Sequence, residues 1–318
     1  MNHAVINGTG SYLPERQLSN QELESMLDTS HEWIMSRSGI ASRHIANEKE
    51  TTAYMAAQAA KDALASSTLT ADEIDLILVA TCTPNRFFPG MACSVQHALN
   101  IKKSIPAFDV GAACSGFVYA IDIAWQYIRS GAAKNVLVIG SETMSKALDW
   151  QDRSTCVLFG DGAGAVILSA DSTREGIIAS RLHASHDEEF LLNFDNYTGR
   201  DEKSVISMRG NEVFKLAVNI MGDIVDEILQ VAGLKKEELQ WLIPHQANIR
   251  IIQGIAKKLN LPMSQVIVTI ENQGNTSAAS IPLALDYSVK QNRVKRDDLL
   301  LLESFGGGMT WGAMILRY

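Results

Sequence analysis

The chain has 318 residues, of which 46% are hydrophobic and 20% are charged, a composition typical of a globular protein with a large core. Its formal net charge of −8 argues against nucleic acid or an anionic membrane surface as a general partner, because both require a positive field. No apolar stretch approaches the roughly 18 residues that cross a bilayer, and the first residues lack the pattern of a secretory signal, so we expect a cytoplasmic protein.

Three capping-box patterns predict helix starts, because a Ser or Thr is followed three residues later by a Glu that reaches back to the cap. The pairs are Ser19 with Glu22, Thr29 with Glu32, and Thr70 with Glu73.

Short and nearly continuous apolar runs predict strands that are buried on both faces. These runs are residues 75–80, 136–139, 165–168 and 299–302. Helical patterns occur at residues 53–66, 117–130, 212–231 and 278–290. The alternation of strands and helices predicts an α/β protein, with helices covering a mostly parallel sheet.

The two halves of the chain resemble each other. The segment LTADEIDLI, which starts at Leu69, matches LKKEELQWL, which starts at Leu234, at an offset of 165 residues. The strand at Val136 corresponds to that at Leu299 at an offset of 163, and the segment after Phe108 corresponds to the segment after Ile270. One such match is open to chance, but three in order predict two similar α/β halves, at residues 1–172 and 173–318.

The cysteines are spread along the chain, without a CxxC pair or a histidine at zinc-finger spacing. This pattern argues against a metal site and against a disulfide framework. Most of the cysteines are therefore expected to be small buried hydrophobic residues. They are Cys82, Cys93, Cys114 and Cys156.

Cys114 lies in GAACSGF, between a strand-like AFDV and a run of apolar residues at helical spacing. We expect a helix to begin there, and the positive end of its dipole to favour the Cys114 thiolate. The small neighbouring residues leave room for a substrate. A nucleophile is one interpretation, and a cysteine packed beneath a glycine-rich turn is the other.

Two polar residues follow predicted strands in the second half. His245, in IPHQAN, follows the strand-like residues 241–243, and Asn275, in ENQGNTSAAS, follows a strand predicted at 266–270. Open α/β sheets place ligand chemistry at the carboxyl ends of strands. In the repeat, an offset of 163 carries Cys114 onto Ser277, two residues from Asn275, so both turns are expected to face one cleft. The alternative for His245 is a hydrogen-bonded structural histidine.

Two glycine-rich stretches have different interpretations. FGDGAGA, at residues 159–165, superficially resembles a dinucleotide-binding loop, but a strand-like run follows it, so we predict a hairpin-like turn and no nucleotide site. FGGG, at residues 305–308, follows a predicted strand. Its glycines are either a simple tight turn or a place where backbone N–H groups approach a reacting oxygen.

GAACSGF, PHQAN, GNTSAAS and FGGGMTWG occur together in this order, and the whole chain resembles the β-ketoacyl-[acyl carrier protein] synthase III family of bacterial fatty-acid synthesis. GTGSYLP, DTSHEWI, GNEVFK and FGDGAGA extend the resemblance over the full length. The resemblance implies a thiolase fold, which is a duplicated αβαβα architecture of five layers, usually in a homodimer. It also implies the decarboxylating condensation of a short acyl-CoA, expected to be acetyl-CoA, with malonyl-[acyl carrier protein]. The products are a 3-oxoacyl-[acyl carrier protein], CO₂ and CoA.

The resemblance also assigns catalytic roles. Cys114 becomes the acylated nucleophile, and His245 and Asn275 complete a Cys-His-Asn triad that donates hydrogen bonds to the malonyl thioester. The backbone N–H groups of Cys114 and Gly307 would form an oxyanion hole. No metal or redox cofactor is expected, because the thioester itself accepts the electrons.

A coenzyme A site is implied at Trp33, Arg37 and Arg153, with Asn248 near the pantetheine arm. Trp33 and Arg37 are four residues apart and share a helix face, and stacking and charge both suit an adenine nucleotide. Without the resemblance, Trp33 is better interpreted as a packing residue. The chain departs from many relatives at Phe87-Phe88-Pro89, where they have one phenylalanine. In the family this loop reaches the acyl pocket of the partner subunit, so Phe87 and Phe88 predict a short primer.

The acyl carrier protein of this pathway is itself acidic, so a local basic surface is needed to bind it. The predicted helix after PHQAN carries basic residues on one face and isoleucines on the other. An ordinary solvated helix face is the alternative. The predicted docking residues are Lys215, Arg250, Lys257 and Lys258.

Other functions fit less well. A papain-like cysteine hydrolase would have a tryptophan after the cysteine, and a thiolase would have a second cysteine in a late glycine-rich loop. An inactive binding protein on this fold would lack the triad. The alternative that remains is a related condensing enzyme of secondary metabolism that uses longer acyl groups.

Overall fold

The computed structural model describes residues 3–194 and 204–318. Its strands are β1 (His3–Tyr12), β2 (Gln17–Ser19), β3 (Ser42–His44), β4 (Leu76–Ala80), β5 (Ala107–Val110), β6 (Asn135–Thr143), β7 (Asp161–Asp171), β8 (Ile177–Ala184), β9 (Leu192–Phe194), β10 (Ile206–Met208), β11 (Trp241–Pro244), β12 (Leu299–Gly306) and β13 (Thr310–Arg317). Its helices are α1 (Asn20–Glu24), α2 (His31–Ser38), α3 (Thr52–Ser66), α4 (Met91–Ala98), α5 (Gly116–Arg129), α6 (Gly210–Ala232), α7 (Ile249–Lys258), α8 (Ile270–Gln273) and α9 (Ser280–Lys290). The buried strands and the helices predicted from apolar patterns are all present.

Two sheets in the described part of the chain repeat the same strand order. One sheet runs β1, β7, β6, β4, β5, and the other runs β8, β13, β12, β11. In the first sheet β4 is parallel to β5 and β6, whereas β7 is antiparallel to β6 and β1. The prediction of mostly parallel sheets is therefore wrong, because β6–β7 and β12–β13 are consecutive antiparallel pairs.

The repeat extends to local detail. A single 3₁₀ turn, Ala71–Glu73, precedes β4, and the turn Lys236–Glu238 precedes β11 at the expected offset. An isolated parallel bridge between Leu242 and Val266 occupies the place that corresponds to β5. The predicted boundary between residues 172 and 173 falls between β7 and β8. The division itself stays a prediction, and its halves include residues 1–2 and 195–203, which lie outside the described ranges.

Five layers result from how the helices pack. The helices α3 and α4 cover the outer face of the first sheet, around Ile77 and Ile139. Between the sheets lie α5 and α9, in a core that includes Phe117, Val138 and Leu302. The helices α6 and α7 cover the outer face of the second sheet. This αβαβα order confirms the expected architecture.

Two of the three predicted capping boxes are present, at Ser19 with Glu22 and at Thr70 with Glu73. The third prediction is wrong, because the N-cap of α2 is Ser30 rather than Thr29. The Ser30 hydroxyl accepts a hydrogen bond from the Trp33 N–H at 3.1 Å. Either residue type caps a helix well, so the sequence alone did not separate two adjacent candidates.

Two further predictions, a strand at 266–270 and a hairpin turn in FGDGAGA, are wrong. The strand expected at 266–270 is only the bridge at Val266, followed by the short helix α8. FGDGAGA is not a hairpin turn, because residues 161–165 belong to β7. A Cβ on Gly164 would lie 2.6 Å from the backbone nitrogen of Leu283, so glycine there allows α9 to pack closely on the sheet.

Within residues 3–194 and 204–318, no helix is both long enough and apolar enough to cross a membrane.

Candidate active site

Cys114 lies where a strand turns into a buried helix. The edge strand β5 ends at Val110, and the 3₁₀ turn Ala113–Ser115 leads directly into α5, so the expected helix start is confirmed. The turn requires a left-handed backbone at Ala113, with φ 45°. Cys114 itself is 8% exposed.

The hairpin between β12 and β13 lies directly against this turn. A Cβ on Gly306 would be 2.7 Å from the backbone nitrogen of Cys114, so only glycine fits there. The Ser304 hydroxyl donates to the Cys114 carbonyl at 2.8 Å, and the Thr310 hydroxyl donates to the Ala112 carbonyl at 2.9 Å. The glycine-rich segment therefore fixes the backbone around the cysteine.

Two N–H groups remain available beside the Cys114 side chain. Neither the Cys114 N–H nor the Gly307 N–H donates to an oxygen atom of the residues that the structure describes. Gly307 and Cys114 line the same cavity. These are the groups that the resemblance assigns to an oxyanion hole.

His245 follows directly after the carboxyl end of β11, as predicted, and is 3% exposed. Its backbone N–H donates to the Glu303 carbonyl at 2.8 Å, and its Nδ1 lies 2.7 Å from the Ser280 hydroxyl. Among the described residues its Nε2 has no hydrogen-bond partner. The ring is thus held from one side and free on the other.

Asn275 lies between α8 and α9 and is 6% exposed. Its backbone N–H donates to the Leu158 carbonyl at 2.9 Å, and its carbonyl accepts from the Gly160 N–H at 3.0 Å. Its Oδ1 accepts from the Ser277 N–H at 2.9 Å. Because Oδ1 is occupied, the Asn275 side chain offers its Nδ2 as a donor, which has no partner within the described residues.

Burial controls the charge states of the cysteine and the histidine. Burial raises the pKa of Cys114 to about 11; the Ser277 hydroxyl lowers this pKa, while the Glu142 carboxylate raises it. Burial also lowers the pKa of His245 to about 3. The expected Cys114 thiolate is therefore not the favoured form in the free protein, because burial raises the pKa of the thiol. At neutral pH the pair is a thiol and a neutral imidazole.

Cys114, His245 and Asn275 all line one cavity of about 350 Å³. The predicted coenzyme A residues Trp33, Arg37, Arg153 and Asn248 line the same cavity. The triad is buried, whereas Arg37 and Arg153 are exposed, so the cavity runs from the surface to the cysteine.

Trp33 is flanked by two guanidinium groups at this surface end. Its ring centroid lies 6.0 Å from the Arg37 guanidinium and 5.2 Å from that of Arg153. Arg153 also forms an ion pair with Asp28 at 3.7 Å. Asn248 caps α7, and its side chain donates to the Arg37 carbonyl at 2.9 Å, which connects α7 to α2.

A second cavity, of about 360 Å³, meets the first at Cys114. Its walls are largely apolar. They include Met144, Phe159, Leu192, Phe194 and Ile206. The sequence analysis did not find these residues, because they come from separate loops and short strands without a common pattern.

Phe87 and Phe88 lie elsewhere within a single chain. They are 66% and 86% exposed and line neither cavity. Their predicted role involves a partner subunit, so it stays a prediction.

The basic residues proposed for docking are exposed on α6 and α7, with Ile251, Ile252 and Ile255 turned inward. Arg250 lines the first cavity and lies 5.0 Å from the Phe214 ring centroid. Lys258 differs from the others, because it forms an ion pair with Asp223 at 2.6 Å.

The sequence analysis also missed Glu142, a fully buried carboxylate at the end of β6. Hydroxyl groups of Thr81, Thr83 and Ser277 donate to it at 3.0, 2.5 and 3.0 Å. It therefore joins the turn after β4 to the turn that carries Asn275. The sequence did contain a signal for Glu142, because a charged residue at the end of an apolar strand is rarely buried without a hydrogen-bonding role.

Comparisons with known proteins identify the family to which the chain belongs. Residues 108–186 match the family "3-Oxoacyl-[acyl-carrier-protein (ACP)] synthase III", and residues 229–318 match the C-terminal part of the same family. A Beta-ketoacyl-[acyl-carrier-protein] synthase III from Coxiella burnetii is 53% identical over 100% of both chains. One from Aquifex aeolicus is 53% identical over 98% of this chain and 99% of its own.

The fold of a solved relative is nearly the same. The crystal structure of 3-oxoacyl-[acyl-carrier-protein] synthase III from Aquifex aeolicus superimposes with a TM-score of 0.95, covering 99% of this chain and 100% of that one. The chain therefore has the thiolase fold and belongs to the β-ketoacyl-[acyl-carrier-protein] synthase III family.

Proposed function

We propose that Cys114, His245 and Asn275 catalyse the reaction of this family, in which an acyl coenzyme A condenses with malonyl-[acyl carrier protein] to initiate fatty-acid synthesis. The chain is an acyltransferase of this family. The observation that carries the proposal is the convergence of the three side chains at the buried end of one cavity, whose outer end carries Trp33.

In the first half-reaction the Cys114 sulfur attacks the thioester carbonyl of the acyl coenzyme A. A carbon–sulfur bond forms, and the tetrahedral oxyanion accepts hydrogen bonds from the Cys114 and Gly307 N–H groups. The bond to coenzyme A then breaks, and coenzyme A leaves as a thiol with the proton that Cys114 loses. The acyl group extends into the second, apolar cavity.

In the second half-reaction malonyl-[acyl carrier protein] enters through the cavity that coenzyme A has left. His245 Nε2 and Asn275 Nδ2 donate to the thioester oxygen, where negative charge develops as the carbon–carbon bond to CO₂ breaks. The resulting carbanion attacks the acyl carbon on Cys114, the carbon–sulfur bond to Cys114 breaks, and the Cys114 thiolate takes up a proton from solvent. The thioester accepts the electrons, so the chemistry requires neither a metal nor a redox cofactor.

The coenzyme A binds at the outer end of the cavity. Stacking on Trp33 and the charges of Arg37 and Arg153 suit an adenine nucleotide with phosphates. Asn248 lines the same cavity as Cys114, which supports a contact to the pantetheine arm. The preferred primer in this proposal is acetyl.

The carrier protein docks on the exposed basic side of α6 and α7. Arg250 lies at the wall of the cavity, and Lys215 and Lys257 extend the positive charge along the two helices. Such charges act mainly on the rate of encounter. Lys258 contributes less than the sequence implied, because Asp223 offsets its charge.

The protein works as a homodimer in this proposal. The edge strand β5 carries Phe108, which is partly exposed, and the nearby loop carries the exposed Phe87 and Phe88. An unpaired edge with exposed aromatic residues is favourable for association with a second copy. The four free cysteines are typical of the reducing cytoplasm, which we retain as the predicted location.

Mass spectrometry of the intact protein after incubation with acetyl-CoA tests the proposal. Wild type and the control Cys93→Ala should each gain one acetyl group, and Cys114→Ala should gain none. Acetylation of Cys114→Ala would overturn the assignment. The alternative, a condensing enzyme of secondary metabolism that uses longer acyl groups, is not favoured. Relatives that are 53% identical to this chain carry the name Beta-ketoacyl-[acyl-carrier-protein] synthase III.

A further inference from the structure

The contact between His245 and Ser280 determines which ring nitrogen of the histidine carries the proton. The Ser280 hydroxyl, at the first residue of α9, lies 2.7 Å from His245 Nδ1. Ser280 is 1% exposed, so water does not replace this contact. A neutral imidazole has one N–H and one acceptor nitrogen, and a neighbouring group selects between the two tautomers.

The other hydrogen bonds of Ser280 specify the direction of this contact. The Gln246 N–H donates to the Ser280 oxygen at 3.3 Å. Within the described residues, the only acceptor for the Ser280 hydroxyl proton is His245 Nδ1. If Nδ1 carried the proton, the Ser280 oxygen would accept twice and its own proton would be buried without an acceptor, which is unfavourable. The arrangement favours a proton on Nε2.

The turn that presents Gln246 to Ser280 is itself rigidly held. The Gln246 side chain donates to the Pro244 carbonyl at 2.7 Å and accepts from the Thr269 N–H at 2.9 Å. The His245 N–H donates to the Glu303 carbonyl at 2.8 Å. These bonds position both the imidazole and the N–H group that occupies the Ser280 oxygen.

We propose that Ser280 is a positioning residue that donates its hydroxyl proton to His245 Nδ1 and thereby keeps a proton on Nε2, where it faces the substrate cavity. The functional consequence rests on the role proposed above for His245. With Nε2 protonated, His245 is a hydrogen-bond donor to the malonyl thioester and is not the base that deprotonates Cys114. Loss of Ser280 should therefore affect condensation and spare acylation.

Histidine-selective ¹⁵N labelling and long-range proton–nitrogen NMR measure the tautomer directly. The chain has seven histidines, and comparison with His245→Gln identifies the His245 signals. Wild type should show His245 protonated on Nε2, and Ser280→Ala should show a mixture of tautomers or the Nδ1 form. A wild-type His245 that is protonated on Nδ1 would overturn the proposal, whether or not any variant folds.

Kinetics of the two half-reactions provide the second measurement. In Ser280→Ala, condensation with malonyl-[acyl carrier protein] should fall about tenfold or more, while acetylation of Cys114 stays within about twofold of wild type. Ser280→Thr retains the hydroxyl and should restore the Nε2 tautomer and most of the condensation.

The control is Ser288→Ala, on the same helix. Ser288 is fully buried, and its hydroxyl donates to the Leu285 carbonyl at 2.8 Å. This variant should leave the tautomer and both half-reactions unchanged. An unaltered tautomer in Ser280→Ala would contradict the proposal. If instead the tautomer is as proposed but His245→Ala condenses normally, the catalytic role of His245 fails and the assignment of the tautomer stands.

Discussion

Ala113 and Ser277 have the same backbone conformation at equivalent points of the two halves. Their φ angles are 45° and 50°, and each residue begins a 3₁₀ turn that leads into a buried helix, α5 or α9. The equivalent of Cys114 is therefore Ala278, and the expected pairing of Cys114 with Ser277 is wrong by one residue. The two turns pack against each other, and they bring Cys114 and the Asn275 loop together from opposite halves.

The left-handed conformation at Ala113 leads to a prediction about stability. Glycine accepts positive φ without penalty, whereas a β-branched residue does not. Ala113→Gly should keep the free energy of unfolding within about 1 kcal/mol of wild type, and Ala113→Val should lower it by about 2 kcal/mol or more. Urea denaturation measures both. Equal stability of the valine variant would contradict this assignment of strain.

The pKa of about 11 at Cys114 predicts how its reactivity depends on pH. Because burial raises this pKa, the thiolate is scarce at neutral pH. As long as the pH stays below the pKa, the thiolate fraction rises about tenfold for each unit by which the pH increases. Alkylation of Cys114 by iodoacetamide, followed by peptide mass spectrometry, should therefore accelerate steadily from pH 7 to 9 without a plateau. Ser277→Ala should react more slowly at each pH, since the Ser277 hydroxyl lowers the Cys114 pKa. A plateau below pH 8 would mean that the helix dipole dominates.

His245→Ala and Asn275→Ala should separate the two half-reactions. In the proposed mechanism their donors act on the malonyl thioester, so each variant should lose condensation by about 10²-fold or more while retaining acetylation of Cys114. Release of CO₂ from malonyl-[acyl carrier protein] and the mass of the acetylated protein measure the two steps separately. Equal loss of both steps would contradict this division of roles.

Phe87 and Phe88 predict the length of the primer if they close the acyl pocket of a partner subunit. Wild type should acylate faster with acetyl-CoA than with octanoyl-CoA. The double variant Phe87→Ala/Phe88→Ala should shift this ratio toward octanoyl, because it removes bulk from the end of the tunnel. Competition between the two thioesters, read by intact mass, gives the ratio. Faster acylation of wild type by octanoyl-CoA would refute the prediction.

Charge reversal tests the docking surface. Arg250→Glu and Lys257→Glu should raise the apparent KM for malonyl-[acyl carrier protein] several-fold at low salt, with a smaller effect at high salt, where exposed charges are screened. Lys258→Glu should have a weaker effect because Asp223 already pairs with Lys258. Lys61→Glu, on the exposed side of α3, is the control and should change nothing. If Arg250→Glu and Lys61→Glu behave alike, the carrier protein docks elsewhere.

Local patterns in the sequence were sufficient for much of the fold. Continuous apolar runs marked β4, β6 and β12, because strands covered by helices on both faces must be hydrophobic throughout. The repeat at an offset of 165 predicted two similar α/β halves, and the matching turns before β4 and β11 lie at that offset. Cys114 and His245 were found because each lies directly after a strand. Asn275 was found after a predicted strand that the structure replaces with a bridge and α8, and the resemblance to a known family then assigned the three roles.

Tertiary structure decided what depends on several segments at once. Strand direction was mispredicted, because a short apolar run has the same pattern whether its strand pairs antiparallel in a hairpin or parallel after a helical crossover. Burial is the largest cause of the raised pKa of Cys114 and the cause of the lowered pKa of His245, and this desolvation comes from residues distant in the sequence. The contact between Ser280 and His245 likewise appears only when α9 packs against the end of β11. The second cavity appears only where loops and short strands from both halves meet beside Cys114. The sequence by itself therefore determined which residues are proposed to carry the chemistry, and the packing of the two halves decided their charge, their hydrogen bonds and the space around them.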